Sequence, residues 1–307
     1  MFSKTSTMTS TVSYSERIDL LRQAIKEADH IIIGAGSGLS TAAGLDYAGE
    51  DFRREFAADI EKYGHTDLYS AGFYRYATAE EYWAHWAKHI WFCRYRTGAL
   101  PLYKKLRSIL NFESRISNDA TNSKFKIQNS KLFVVTTNVD AQFELAGFNK
   151  DNIFATQGDY SRFQPANGEP KMTWSNRRWV EQVLPLIDDC RIPTHMIPLT
   201  EDGRPAAMNL RVDDTFVEDD RWHRQSKCYS DFVQEASQKN LLLLEFGIGY
   251  NTPGIIRLPF EQMAQRFPHT TLVRFNRDNP EPYIQDLPHF LSFTEDIQEI
   301  MLDCVIA

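Results

Sequence analysis

The chain has 307 residues, of which 42% are hydrophobic and 24% charged, and its formal net charge is -7 at pH 7. A chain of this size can bury a large core, and its acidic balance argues against the clustered Lys and Arg surface of a nucleic-acid-binding protein. No apolar run reaches the roughly 18 residues needed to cross a bilayer, so no membrane segment is expected.

The first predicted elements are a helix and a buried strand. Ile18, Leu21 and Ile25 recur at helical spacing, and Ser15 is the expected N-cap. The strand Ile31–Ile33 then runs directly into the glycine-rich segment GAGSGLSTAAG. A strand, a glycine turn and a helix start in this order form the phosphate site of doubly wound α/β folds, because the turn and the helix N-terminus present N–H groups.

Three further predicted strands, 132–135, 241–245 and 271–275, also end in glycine or polar residues. Parallel strands present their carboxyl ends at one edge of a sheet, so these endings should line one cleft. The residues that follow these strands and face this predicted cleft are Asn138, Asp140, Gly247, Gly249 and Asn276.

The domain organisation follows from the segments between these strands. The aromatic stretch with Tyr82, Trp86 and His89 at helical spacing is interpreted as core, and residues 111–130 as a surface loop. Residues 158–228 are rich in Pro, Trp and Arg and indicate a small inserted domain. We expect a flexible tail at 1–14, a Rossmann-like domain at 15–157 and 229–307, and the insert between them.

The glycine segment and the second strand end carry a resemblance to a known superfamily. The run from Gly36 to Ser40 followed by Gly44 resembles the sirtuin GAGxS…G signature, and Asn138 to Asp140 resembles its Asn-x-Asp segment. The resemblance implies a sirtuin-type Rossmann-like fold with a doubly wound parallel sheet, and NAD as cofactor. It also implies that Asn138 and Asp140 act at the nicotinamide ribose.

One departure from the sirtuin pattern concerns the catalytic base. Where protein deacylases have a His-Gly pair, this chain has Gln157-Gly158. A Gln amide can orient a ribose hydroxyl but cannot accept a proton near neutral pH. Deacylation should therefore be impaired, whereas transfer of ADP-ribose to an already ionised carboxylate needs no base.

A second departure lies in the cofactor loop. Asp51-Phe52-Arg53 matches the family's Asp-Phe-Arg but falls four residues late, and Tyr47 takes the nominal Asp position. Phe52 would shield the reactive sugar carbon from water, and Arg53 would contact a phosphate or the acceptor. The residues expected to bind the cofactor are Gly36, Ser37, Gly38, Ser40, Gly44, Tyr47, Phe52, Arg53, Asn138, Asp140, Gln157, Gly247, Gly249, Asn251 and Asn276.

A third departure is the absence of the two CxxC pairs that hold zinc in ordinary sirtuins. The cysteines are scattered, which predicts a reducing compartment and no disulfides, with a cytoplasmic location favoured over a mitochondrial one. Cys190 with His195 and His223 with Cys228 have permissible ligand types but unusual spacing, so they are interpreted as locally packed residues. The insert is thus predicted to lack zinc ligands, and no metal is expected.

Together with the string EFGIGYNTPGIIRLPF, these departures resemble the class M, macrodomain-linked sirtuins. That resemblance implies an NAD-dependent protein mono-ADP-ribosyltransferase with Asn138, Asp140 and Gln157 as catalytic residues. It implies a lipoylated carrier protein of the glycine cleavage H type as acceptor, and a macrodomain hydrolase as partner. The alternatives are a deacylase using His195 or His223 as base, an NAD hydrolase, and a non-catalytic module that binds NAD or ADP-ribose.

Overall fold

A computed structural model describes residues 12–96, 98–110, 132–249 and 253–304. Its central sheet has six strands in the order β3-β2-β1-β7-β8-β9. All neighbouring pairs are parallel, which confirms the predicted α/β fold with a parallel sheet. The strands are β1 His30–Ala35, β2 Leu132–Thr136, β3 Ile153–Ala155, β7 Leu241–Phe246, β8 Thr270–Phe275 and β9 Phe290–Phe293.

Both faces of this sheet are covered. All six residues of β1 are buried, as is usual when helices pack on both sides of a parallel sheet. Ile31 and Ile33 belong to one hydrophobic core and Ile32, between them, belongs to the other. The two cores therefore follow from the alternation of side chains along each strand.

Twelve α-helices are found among the described residues, and the glycine turn leads directly into the second. They are α1 Tyr14–Glu27, α2 Ser37–Ala42, α3 Glu50–Glu55, α4 Ala57–Tyr63, α5 Leu68–Ala71, α6 Ala79–Ile90, α7 Pro101–Leu110, α8 Gln142–Leu145, α9 Arg177–Val183, α10 Asp220–Ala236, α11 Arg257–Arg266 and α12 Ile297–Asp303. No helix among the described segments is long and apolar enough to cross a membrane.

The first helix begins earlier than the sequence pattern suggested. Ser13, rather than Ser15, is the N-cap, because its hydroxyl accepts from the Glu16 N–H while the Glu16 carboxylate accepts from the Ser13 N–H. This reciprocal pair is a capping box, and it satisfies donors that the first helical turn leaves free. The N-cap prediction at Ser15 was therefore wrong.

A second, antiparallel sheet lies within the segment predicted to be inserted. Its order is β5-β4-β6, with β4 Gly158–Pro165, β5 Trp174–Ser175 and β6 Ala206–Leu210. The predicted boundary at 228/229 falls inside α10, whose Phe232 ring packs 5.4 Å from Phe133 of the large sheet. Because one helix is continuous across that position, a boundary before Asp220 fits the packing better.

Candidate active site

The glycine turn after β1 packs directly against the turn after β7. A Cβ on Gly38 would lie 2.7 Å from the Cα of Gly247, and a Cβ on Gly36 would lie 2.8 Å from the Gly247 carbonyl oxygen. The Gly38 N–H donates to that carbonyl at 3.2 Å, and Gly247 has a positive φ of 58°. Only glycine meets these requirements, so the two strand ends are held in backbone contact.

Asn138 and Asp140 meet the first residues of α2 in a buried hydrogen-bond network. The Ser40 hydroxyl donates to Asp140 Oδ2 at 2.5 Å. Asn138 Nδ2 donates to the Gly36 carbonyl at 2.9 Å and to Ser40 Oγ at 3.1 Å. The predicted catalytic pair and the predicted phosphate turn are therefore brought together, with exposed fractions of 9% for Asn138 and 3% for Asp140.

Tyr103, on α7, completes this network and was missed by the sequence analysis. Its hydroxyl lies 2.8 Å from Ser40 Oγ and is fully buried. Because the Ser40 proton points to Asp140, the Tyr103 hydroxyl donates to Ser40. The contact joins residues 63 positions apart, and no local sequence pattern indicates it.

The environment of Asp140 acts on the pKa of its carboxyl in two opposite ways, and the net effect is a raised pKa. Burial raises the pKa of the Asp140 carboxyl, while hydrogen bonds from the Ser40 hydroxyl and the Gln142 N–H lower it. A carboxylate held by two donors in a buried site can stabilise a nearby positive charge strongly, because little solvent screens it. This is the electrostatic requirement for cleaving a glycosidic bond through a cationic sugar carbon.

Gln157 lies at the same edge of the sheet, in the turn between β3 and β4. Thr136 pairs with Ala155, so the residues after β2 and those after β3 emerge side by side. The Gln157 backbone carbonyl accepts from the Arg211 N–H at 3.0 Å. Its side chain is half-buried and makes no hydrogen bond with any described residue.

Tyr47 is enclosed by aromatic residues rather than by charges. Its hydroxyl lies 3.4 Å from that of Tyr160, and His89 packs 4.9 Å from the Tyr160 ring. Burial raises the pKa of Tyr47 well above its usual range and lowers that of His89 to about 3. These three side chains are therefore neutral at physiological pH.

Phe52 and Arg53 point in opposite directions from α3. Phe52 is 1% exposed and its ring stacks on Phe56 at 5.4 Å, whereas Arg53 is exposed. In this arrangement Phe52 is a core residue, so shielding the reactive sugar carbon would require a movement of α3.

The remaining predicted cofactor residues lie around the same edge. Ser37 is exposed at the start of α2, and Gly44 follows its end with φ 95°. Gly249 is exposed, and a Cβ added to it would meet no described residue within 4 Å. Asn276 donates to the Ile248 carbonyl at 2.8 Å, so its side chain links the loops after β7 and β8. Asn251 lies outside the described residues.

The two histidines considered as substitute bases are both exposed. His223 lies on α10 with its ring 5.3 Å from Trp222, and His195 lies in a short 3-10 helix of the inserted segment. Within the described residues no three His, Cys, Asp or Glu side chains are grouped so that they could hold a metal ion.

Comparisons with known proteins give a consistent picture. No family model matches the chain. It is 29% identical over 265 residues to the protein ADP-ribosyltransferase of Staphylococcus aureus, covering 86% of this chain and 79% of the relative. It is 30% identical to a probable bifunctional ADP-ribose hydrolase/ADP-ribosyltransferase of Fusarium oxysporum, of whose length it spans only 40%.

Solved structures show the same fold. One, from a study of the structural basis of sirtuin substrate affinity, matches with a TM-score of 0.56 at 15% identity over 96% of this chain and 98% of the other. Sir2Tm bound to a propionylated peptide matches with a TM-score of 0.54 at 15% identity over 93% and 95%. These two likenesses show that the chain has a sirtuin-type fold.

The chain thus combines a sirtuin-type fold with similarity to a protein named for ADP-ribosyl transfer. The residues present fit NAD. Gly36, Gly38 and Gly247 bring the backbone of two strand ends together beside the buried polar side chains of Asn138 and Asp140. Backbone N–H groups of a glycine turn and buried polar side chains at one sheet edge are the groups that a dinucleotide requires.

Proposed function

We propose that the chain transfers ADP-ribose from NAD to a protein side chain and releases nicotinamide. The observation that carries this proposal is the amide of Gln157 at the edge where Asn138 and Asp140 converge. A deacylase needs a base there, and an amide cannot take up a proton near neutral pH. A transferase whose acceptor is already ionised does not need one.

The residues of the network have distinct roles in this reaction. Asp140 lies where the positive charge develops on the sugar carbon and stabilises it, and Ser40 and Tyr103 hold the Asp140 carboxylate in place. Asn138 positions a ribose hydroxyl or a water, and the Gln157 amide orients a second hydroxyl. The diphosphate lies along the turn from Gly36 to Ser40, and the adenosine ribose near Gly249 and Asn276.

The acceptor we propose is a carrier-type protein, lipoylated and similar to the glycine cleavage H protein, supported by the class M resemblance of the sequence. The modification would be reversed by a separate ADP-ribose hydrolase of the macrodomain type. The Fusarium relative supports this pairing, since its name combines an ADP-ribose hydrolase with an ADP-ribosyltransferase and this chain spans 40% of it.

The decisive experiment uses one reaction mixture with labelled NAD, an acylated peptide and a lipoylated H-type carrier protein. Wild type is compared with Asn138→Ala and with Asn167→Ala, an exposed asparagine of the inserted segment that serves as a matched control. We expect wild type and Asn167→Ala to label the carrier equally. Asn138→Ala should label it at least about tenfold more slowly, since a hydrogen bond to a reacting group accelerates a reaction by about this factor.

Three other outcomes would contradict the proposal. Acyl release without protein label would assign a deacylase, and free ADP-ribose alone would assign an NAD hydrolase. Binding of NAD without nicotinamide release would assign a non-catalytic module.

A further inference from the structure

A cleft leads from the proposed catalytic residues towards the inserted segment. It consists of two adjoining cavities that share Ala155, Gly158, Asp159 and Arg221. The inner cavity is lined by Asn138 and Asp140, and the outer one by Arg162, Trp222 and Gln225. The glycine turn lines neither cavity, so this cleft approaches the reacting carbon from a side other than that of the diphosphate.

Arg221 lies at the junction of the two cavities with its hydrogen-bonding capacity unused. Its Nη2 is 3.8 Å from Glu144 Oε2 and its Nη1 is 3.8 Å from Asp159 Oδ2, which is close enough for attraction but too long for hydrogen bonds. With the described residues its guanidinium makes ion pairs but no hydrogen bond. Its side chain is 36% exposed, so the unused N–H groups are accessible from the cleft.

Three carboxylates lie near the two guanidinium groups, those of Glu144, Asp159 and Asp219. Glu144 is already paired with Lys150 Nζ at 2.7 Å. Asp159 accepts from the Ser161 N–H at 2.7 Å and lies 3.5 Å from Arg94. In the outer cavity Asp219 caps α10 and accepts from the Thr173 hydroxyl at 2.5 Å. Ser161 and Arg94 both contact Asp159 Oδ1, whereas Asp159 Oδ2 lies 3.8 Å from Arg221 Nη1 and makes no hydrogen bond with a described residue.

Arg162 faces the same space from β4. Its Nε and Nη2 donate to Thr173 at 2.5 and 2.8 Å, which leaves Nη1 without a hydrogen bond to a described residue. Burial, and then repulsion from Arg221, lowers the pKa of Arg162. Two guanidinium groups that repel each other across a cleft are stabilised when an anion lies between them.

Resting on the proposed function, we propose that Arg221, with Arg162 behind it, forms the subsite that holds the carboxylate of the acceptor side chain. The fork of N–H donors on a guanidinium matches the two oxygens of a carboxylate. Held there, the carboxylate lies in a cleft continuous with the cavity of Asn138 and Asp140. Arg221 is then a positioning residue that selects Asp or Glu as acceptor.

The reaction balances without a base. The bond between the ribose C1′ and the nicotinamide nitrogen breaks, and its electron pair leaves with neutral nicotinamide. A lone pair of the carboxylate oxygen forms the new bond to C1′, so the product is an ADP-ribosyl ester. No proton is released, in keeping with the amide at position 157.

The test uses labelled NAD and two synthetic peptide pools of the same mixed sequence, one carrying a single Glu and the other a Gln in its place. Wild type is compared with Arg221→Gln, Arg221→Lys and Arg224→Gln; Arg224 is exposed on the same helix and is the matched control. We expect label only on the Glu pool, released by hydroxylamine as an ester. The KM for this pool should rise about 10- to 100-fold in Arg221→Gln, the contribution of a charged hydrogen-bonded pair.

Arg221→Lys should recover only part of the loss, because it restores the charge without the fork. In Arg221→Gln the KM for NAD should change by less than about threefold, whereas a mere loss of stability would affect both substrates. Arg224→Gln should behave as wild type.

An unchanged KM for the Glu pool, a linkage that resists hydroxylamine, or nicotinamide release without peptide label would overturn the subsite alone. A raised KM for NAD would instead assign Arg221 to a cofactor phosphate. No nicotinamide release by wild type would contradict the proposed function itself.

Discussion

The Ser40 hydroxyl lies 2.5 Å from Asp140 Oδ2 and donates a hydrogen bond to it from a residue of the glycine-rich helix start. The contact joins two sequence motifs that are 100 residues apart. It gives Ser40 a role beyond the backbone contacts expected of a phosphate turn, because this hydroxyl partly offsets the cost of keeping a buried carboxylate ionised.

Ser40→Ala should therefore weaken catalysis by acting on Asp140. Loss of the hydrogen bond should raise the pKa of the Asp140 carboxyl, so that a higher pH is needed to ionise it. We expect nicotinamide release at pH 7 to fall about 10- to 100-fold and the acidic limb of its pH profile to move to higher pH. Rates between pH 5 and 9 test this, with the exposed Thr41→Ala as control. A slower variant with an unmoved acidic limb would contradict the assignment.

Gly38 and Gly249 form a matched pair for testing the backbone contact between the two turns. A Cβ on Gly38 would lie 2.7 Å from backbone, whereas one on Gly249 would meet no described residue within 4 Å. Gly38→Ala should lower the free energy of unfolding by about 1–3 kcal/mol, because backbone cannot rotate away as a side chain can. It should also weaken NAD binding, while Gly249→Ala stays close to wild type in thermal unfolding. Equal effects of the two changes would show that the contact is not needed.

A buried ionic cluster beneath the proposed adenosine site should dominate the stability of that half of the sheet. Arg274 donates to Glu245 at 2.8 and 2.9 Å and to Glu261 at 2.7 Å, and all three side chains are fully buried. Glu261 also accepts the backbone N–H groups of Tyr283 and Ile284. The cluster thus ties the loop after β8 to α11.

Arg274→Met should destabilise the protein by about 3–5 kcal/mol, because two buried carboxylates lose their partner. Burial already raises the pKa of Glu245, and loss of Arg274 should raise it further. A carboxyl whose pKa is higher in the folded than in the unfolded state contributes stability at low pH and loses that contribution as pH rises through the folded-state pKa. The loss of unfolding free energy caused by Arg274→Met should therefore be smaller at pH 5 than at pH 8. Denaturant unfolding at both pH values measures this, with Arg266→Met, on the exposed face of α11, as control. A deficit that grows towards low pH would refute it.

The sequence indicated the parts of the molecule whose signal is local. The strands β2, β7 and β8 were predicted within one residue at each end and β1 within two, because each is a run of apolar residues followed by glycine or a polar residue. The short edge strands β3 and β9 were not predicted. They have three and four residues, which is too few to show a period of alternating apolar residues. They form because a neighbouring strand supplies backbone hydrogen-bond partners.

Within the site, the sequence indicated residues that belong to motifs but not those supplied by packing. Asn138 and Asp140 follow a strand and carry a recognisable spacing, so they could be named. Tyr103 and Arg221 come from helices distant in sequence, where a tyrosine or arginine is usually a core or surface residue. The stacking of Phe52 on Phe56 is likewise a tertiary contact that the Asp-Phe-Arg string does not indicate.

Gln157→His should add to the pH dependence of the enzyme. An imidazole at this position would titrate near its ordinary pKa of about 6.5, and in its protonated form it would oppose the positive charge developing on the sugar carbon. Transfer by the variant should therefore fall more steeply than transfer by wild type as pH drops below about 6.5, beyond the acidic limb that both proteins owe to Asp140. His89, whose pKa burial lowers to about 3, stays neutral throughout this range and cannot supply such a limb. The measurement is label transfer between pH 5.5 and 8 for both proteins, with acyl-peptide cleavage followed in parallel. Identical pH profiles for the two proteins would contradict the placement of residue 157 beside the sugar carbon.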